Sequence, residues 1–148
     1  MSNRIAHHEA DITTLDEVIP DPRILVVDDD EDIRKLHAAI LTLEGYEVEM
    51  AEDGADALGQ LATGRFDLVF TDRLMPVLDG ESLVLALRSA GIRTPVVMVS
   101  GSLAQRPLCE RVAREVSAAL PKPIRAAQVL AAIFKALHPF QPALLVAA

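Results

Sequence analysis

Residues 66–80 read FDLVFTDRLMPVLDG. Leu68, Val69 and Phe70 make the short apolar run expected of a strand buried on both faces. The run stops at Asp72, the chain turns through Pro76, and it restarts at Asp79 and Gly80 as a helix start. A carboxylate at the end of a buried parallel strand lies in the crevice that such sheets use for ligands. Taken alone, an aspartate there is more often a turn or capping residue. The meaning of Asp72 depends on what the other strand ends carry.

Upstream, Ile24–Val27 reads as a strand running into Asp28, Asp29, Asp30, Glu31 and Asp32. A helix follows, with Ile33, Leu36, Ile40 and Leu43 predicted on its apolar face and Gly45 at its stop. Tyr46–Ala51 suits a second strand. Asp53 then caps a helix carrying Ala57, Leu58 and Leu61, which ends at Gly64, and Phe66–Thr71 is the third strand. Downstream, a helix near Glu81–Ala90 is stopped by Gly91, and Thr94–Val99 is a fourth strand ending at Ser100 and Gly101. Pro107 fits the first turn of the next helix, where its missing N–H costs nothing. Ala118–Leu120 is a short fifth strand before Pro121, Lys122 and Pro123, and a last helix covers Arg125–Leu137.

Strands alternating with helices of this length predict an α/β fold: a doubly wound five-stranded parallel sheet with helices on both faces. The domain is expected over residues 23–138, behind a flexible polar arm of residues 1–22 and ahead of an apolar tail of residues 139–148. In the arm, Thr14 and Glu17 can form a capping box for one helical turn, and His7 and His8 lack the neighbours of a metal site. Pro139 and Pro142 end the last helix. The closing ALLVAA is expected to pack back on the domain or a second copy, ahead of the rival reading that it is a degradation signal.

The chain is 51% hydrophobic and 24% charged, the balance of a globular protein rather than a disordered one. A net charge of -8 argues against direct nucleic-acid binding, because phosphate contacts need Lys and Arg. The single cysteine, Cys109, excludes an internal disulfide and fits a reducing compartment. Helical spacing sets it beside Val112, which predicts a buried or half-buried structural thiol. With no secretory signal and no apolar stretch near the ~20 residues that span a bilayer, a cytoplasmic location without membrane insertion is expected.

Four strand ends carry chemistry: Asp28 and Asp29 after the first, Asp72 after the third, Ser100 after the fourth and Lys122 after the fifth. In a parallel sheet these ends open on one edge, so residues remote in sequence converge. Each has an ordinary reading by itself. The Asp28–Asp32 run is a common helix start, Ser100 a loop hydroxyl and Lys122 a surface charge. Their coincidence at strand ends is much less common. Three carboxylates in one crevice repel each other, and hard oxygen ligands with room for water suit Mg2+. Lys122 can then pair with an anion near Asp72 while Ser100 donates a hydrogen bond. Charge neutralisation, positioning and a carboxylate nucleophile are what phosphoryl acceptance requires.

Over residues 23–138 the chain resembles the response-regulator receiver domain of two-component signalling, through ILVVDDDEDIR, DLVFTDRLMPVLDG, VVMVSG and LPKPI in that order. The resemblance implies a flavodoxin-like, receiver-type fold with Asp72 as phosphoacceptor. It implies that Asp29 and Asp72 bind Mg2+ directly, Asp28 largely through water, and Leu74 through its backbone carbonyl. Ser100 would be the switch hydroxyl and Lys122 the lysine that senses the phosphoryl group, whose oxygens also take backbone N–H groups near Leu74 and Gly101. A cis Lys122–Pro123 bond is implied too. The implied partners are a sensor histidine kinase or histidine phosphotransfer protein, with an unidentified protein target downstream. Such a domain promotes its own phosphorylation and dephosphorylation without being a turnover enzyme. Because few residues follow the last helix, a stand-alone receiver is expected, signalling by protein contact or onward phosphotransfer.

Three positions depart from the family pattern. Ala119 stands where receivers often carry an aromatic, Ile124 replaces the usual aromatic after the Lys-Pro pair, and Arg73 follows the acceptor where an apolar residue is typical. Leu74 offers no group to orient a water, so a long-lived aspartyl phosphate is expected. Two other classes compete. A haloacid-dehalogenase-type aspartyl phosphatase wants a second carboxylate at Leu74. A flavodoxin-like cofactor binder wants a phosphate loop where the three aspartates stand. His37, beside the apolar stripe of one helix, makes a poor phosphotransfer histidine.

Overall fold

The computed structural model describes residues 20–139; the expectations for the arm before residue 20 and for the apolar tail lie outside the described residues. Five strands and five helices alternate: β1 Arg23–Val27, α1 Glu31–Leu43, β2 Glu47–Ala51, α2 Gly54–Thr63, β3 Leu68–Asp72, α3 Gly80–Ser89, β4 Val96–Ser100, α4 Glu110–Glu115, β5 Ala118–Pro121 and α5 Ala126–Leu137. All neighbouring strands pair in parallel, in the order β2-β1-β3-β4-β5. Strand bounds move by one or two residues from the expected ones, so Asp72 and Ser100 close their strands rather than follow them. β5 is an edge strand, which is why Pro121 is tolerated within it.

Local chemistry sets the helix ends. Asp30, Asp53 and Asp79 cap α1, α2 and α3, each accepting backbone N–H groups of the first turn. Gly45 and Gly91 follow the C-caps of α1 and α3 with φ of 101° and 77°, a left-handed backbone that glycine adopts without a steric cost.

The two faces of the sheet bury separate apolar clusters. On one, Leu25, Val27, Val69, Val96 and Met98 meet Ala57 and Leu61 of α2, Leu83, Val84 and Leu87 of α3, and Val112 of α4. On the other, Ile24, Val26, Phe70, Val97 and Val99 meet Leu41 of α1 and Val129 and Ile133 of α5. The alternation along each strand assigns the side chains to the two faces, and each fully buried one contributes about 1.5–3 kcal/mol.

Three expectations are corrected. The predicted apolar face of α1 is rotated: Ile33, Leu36 and Leu43 are exposed, Leu43 by 88%, while the buried residues are His37 and Leu41. On the face turned to the sheet, Arg34 donates from Nη1 to the carbonyl of Asp28 at 2.7 Å, and His37 meets Phe70 edge-on at 5.0 Å. Pro107 is not in a helix, because α4 starts only at Glu110. Cys109, expected to be buried or half-buried, is exposed as the residue preceding α4.

Candidate functional site

The crevice opens where successive crossovers leave in opposite directions, between the carboxyl ends of β1 and β3. β1 carries its chain directly into the acidic run, and the fold divides that run by role. Asp30 caps α1, Asp29 is exposed, and Asp28 is only 4% exposed, with a carboxylate that accepts the N–H of Asp30 at 2.9 Å. Asp72 ends β3 beside them. Single carboxylate oxygens of Asp28, Asp29 and Asp72 lie within 4.8 Å of one another. Burial pushes the Asp28 carboxyl above its ordinary value; the N–H of Asp30 opposes this, and the charge of Asp72 adds to the rise. An all-oxygen donor set whose charge is concentrated in partial burial fits a hard divalent cation, so the residues present suit Mg2+.

On the other side of Asp72 stands Lys122, whose Nζ is 2.9 Å from Asp72 Oδ1. Lys122 follows β5, and the Lys122–Pro123 bond is cis as expected. Ser100, the last residue of β4, is buried; its Oγ accepts the N–H of Ser102 at 3.1 Å and lies 3.2 Å from the Ser102 hydroxyl. Gly101 sits beside Lys122, with room where a side chain would meet the lysine Cβ at 4.0 Å. Leu74 is exposed on the loop after Asp72, and no carboxylate stands two residues beyond Asp72 as an aspartyl phosphatase would require. Gly80 closes that loop by donating its N–H to the carbonyl of Arg73 at 2.8 Å. A Cβ at Gly80 would lie 2.5 Å from the Asp72 carbonyl, so a larger residue would displace the end of β3. His37 is packed edge-on against Phe70, and burial holds its imidazole below the ordinary value.

Every residue nominated from the sequence therefore lies at this edge, and one neighbour of Asp72 is more deeply embedded than its sequence suggested. Arg73, noted there only as atypical, is 3% exposed. Its Nε donates to Glu81 at 3.1 Å, Nη1 to the carbonyl of Arg106, and Nη2 to the carbonyl of Pro107 at 3.4 Å. Both carbonyls lie outside the helix, since α4 begins only at Glu110. The signal was present: alternation from Val69 through Thr71 points residue 73 into the core, where a charge demands partners.

The model of the response regulator receiver domain matches residues 24–134. Response regulator MprA of Mycobacterium sp. (strain KMS) is 41% identical over 112 residues, covering 74% of this chain, which spans about half (47%) of that relative's length. Among solved structures, the receiver domain of Francisella response regulator 1452 superposes with a TM-score of 0.74 at 28% identity, covering 82% of this chain and 100% of that one. TrrA from Thermotoga maritima, solved in complex with Mg(2+)-BeF, gives 0.71 at 28% identity, covering 78% and 99%. No helix among the described residues is long and apolar enough to cross a membrane. With a family model over most of its length and a fold and acidic crevice to match, the chain belongs to the response-regulator receiver family of two-component signalling.

Proposed function

We propose that this domain, residues 23–138, accepts a phosphoryl group on Asp72 from the phosphohistidine of a sensor kinase or histidine phosphotransfer protein, and signals by protein contact or onward transfer. The observation that carries the reading is the double flank of one carboxylate: Asp28 and Asp29 within 4.8 Å on one side, Lys122 Nζ at 2.9 Å on the other. Asp28, Asp29, Asp72 and the backbone carbonyl of Leu74 would hold Mg2+. When bound, the ion offsets negative charge so that an anionic phosphoryl group can approach a carboxylate. The rest of the chemistry belongs to the chain. An Asp72 carboxylate oxygen attacks phosphorus; the new O–P bond forms as the P–N bond of the donor breaks, and its electron pair leaves on the imidazole nitrogen. Lys122 passes from Asp72 alone to the shared charge of Asp72 and the incoming oxygens. The Ser100 hydroxyl and the N–H groups of Gly101 and Leu74 complete the donors.

Incubation of the full chain with a small acyl phosphate and Mg2+, followed by intact mass, tests this. One phosphoryl group is expected on the wild type, none without Mg2+ and none on Asp72→Asn. A labelled Asp72→Asn protein, or an unlabelled wild type, overturns the assignment.

A further inference from the structure

The segment between β4 and α4, residues 101–109, walls the crevice opposite the carboxylates and has neither helix nor strand. Its internal ties are few: the N–H of Ser102 on Ser100 Oγ at 3.1 Å and the N–H of Arg106 on the Ser102 carbonyl at 2.7 Å. Arg73 supplies the tie from outside, through the carbonyls of Arg106 and Pro107. The arginine is itself held rigidly. Its N–H donates to the Val99 carbonyl at 2.9 Å, its carbonyl accepts from Gly80 at 2.8 Å, and Glu81 braces its Nε at 3.1 Å. Being bonded to Asp72, it converts the position of the acceptor directly into the position of the opposite wall.

The geometry points to Arg73 as a positioning residue for phosphoryl acceptance, one that sets the distance between Asp72 and residues 101–109, the segment that follows Ser100 and bears the Gly101 N–H. The inference rests on the reading of Asp72 as acceptor. A guanidinium suits the task because it is planar, always charged, and carries donors in a fixed fork that serves two successive carbonyls and a carboxylate together. A lysine ammonium keeps the charge without the fork, and an apolar side chain keeps only the volume. The Arg73 side chain bonds Glu81, Arg106 and Pro107 and none of the Asp28, Asp29 and Asp72 carboxylates, so the cation side and the segment side of the site are separable.

That separation supplies the test, on the full chain. Arg73→Met, Arg73→Lys and Arg88→Met are compared by Mg2+ titration calorimetry and by phosphoryl incorporation from a small acyl phosphate at saturating Mg2+. Arg88 is the control, because it forms a similar buried pair with Glu115 at 3.0 Å away from the crevice. Arg73→Met is expected to slow incorporation by about tenfold or more while the Mg2+ dissociation constant stays within about twofold. Arg73→Lys is expected to slow it by at least about threefold, and this charge-preserving variant decides the matter if the Met variant does not fold. Arg88→Met keeps the wild-type rate to within about twofold despite its lower stability. Wild-type rates in the Arg73 variants, a parallel loss of Mg2+ affinity, or equal slowing by Arg88→Met would each overturn the proposal. Failure of the wild type to take a phosphoryl group at all is a different result and removes the acceptor reading beneath it.

Discussion

Arg73 and Arg88 stand at opposite ends of α3 and solve the same problem in the same way. Arg73 meets Glu81 in the first turn at 3.1 Å, and Arg88, in the last turn, meets Glu115 at 3.0 Å. Each guanidinium also donates to backbone carbonyls: Arg106 and Pro107 for the first, Ile92 (2.8 Å) and Glu115 (3.1 Å) for the second. Burial of a charge is costly, and in both places the cost is offset by one carboxylate and by carbonyls that would otherwise lack donors. The difference lies in what the carbonyls belong to. Those of Arg88 sit where α3 leaves toward β4 and where α4 ends, far from the strand ends that carry chemistry. Those of Arg73 belong to the segment that leads out of Ser100. The same device is a staple at one end of the helix and part of the site at the other.

The largest expected effect tests the shared half of this comparison. Arg73→Met and Arg88→Met should each cost about 2–3 kcal/mol of stability, below the usual figure for a broken buried pair because water can reach the abandoned carboxylate. The Glu81 and Glu115 side chains are 25% and 30% exposed. Urea unfolding of the metal-free protein gives the value through the midpoint at constant slope. A loss under about 0.5 kcal/mol in either variant would mean that its pair is an ordinary surface contact.

The comparison also explains which parts of the molecule were legible beforehand. Asp28, Asp29, Asp72, Ser100 and Lys122 were readable because parallel topology gathers strand ends, and topology follows from alternating strand and helix patterns. Arg73 was readable as a position but not as a role, because its partners are backbone carbonyls, which every residue has and no sequence pattern marks. Helical spacing extended α4 toward Pro107 and set Cys109 beside Val112, whereas the helix begins at Glu110 and the thiol is exposed. The face of α1 was misjudged for a related reason. Residue type favoured Ile33, Leu36 and Leu43, whereas the face turned to the sheet carries Arg34, bonded to the Asp28 carbonyl, with His37 and Leu41.

His37 sharpens the comparison, since it is a buried titratable group that no ion pair relieves among the described residues. Burial holds its imidazole below the ordinary value of 6.5; the charge of Lys122 pushes the same way and that of Asp72 opposes. The folded protein thus refuses a proton that the unfolded chain accepts. Its contribution is complete above pH 6.5 and is lost as pH falls toward the lower folded value. Asp28 has the opposite sign, because its carboxyl is raised, and it acts nearer the carboxylate range. Comparing His37→Gln with wild type at each pH cancels that term. Between pH 7.5 and 5.5 the wild type should lose up to about 1 kcal/mol more than the variant. Equal losses would show that the imidazole titrates as freely as in solution.

The smallest effect concerns the loop on the other side of Asp72 from the arginine's segment. Val77 has φ of 68°, a left-handed backbone that a β-branched residue enters at a cost, and its side chain is 81% exposed, so little burial offsets that cost. The loop is held from both ends: the Leu78 carbonyl accepts the N–H of Gly54 at 3.1 Å, and Gly80 donates to Arg73 at 2.8 Å. Surrounding contacts therefore impose the conformation on Val77 rather than the residue choosing it. Asparagine tolerates this region and, unlike glycine, adds little freedom to the unfolded chain. Val77→Asn should stabilise the domain by about 0.5–1 kcal/mol, with Val77→Gly gaining less. If the loop moves when Asp72 is modified, the strained valine favours leaving the resting state, and Val77→Asn should also slow phosphoryl incorporation slightly. An unchanged or lower urea midpoint in Val77→Asn would show that the left-handed turn carries no strain. The rigidity of the site would then rest on the arginine side alone.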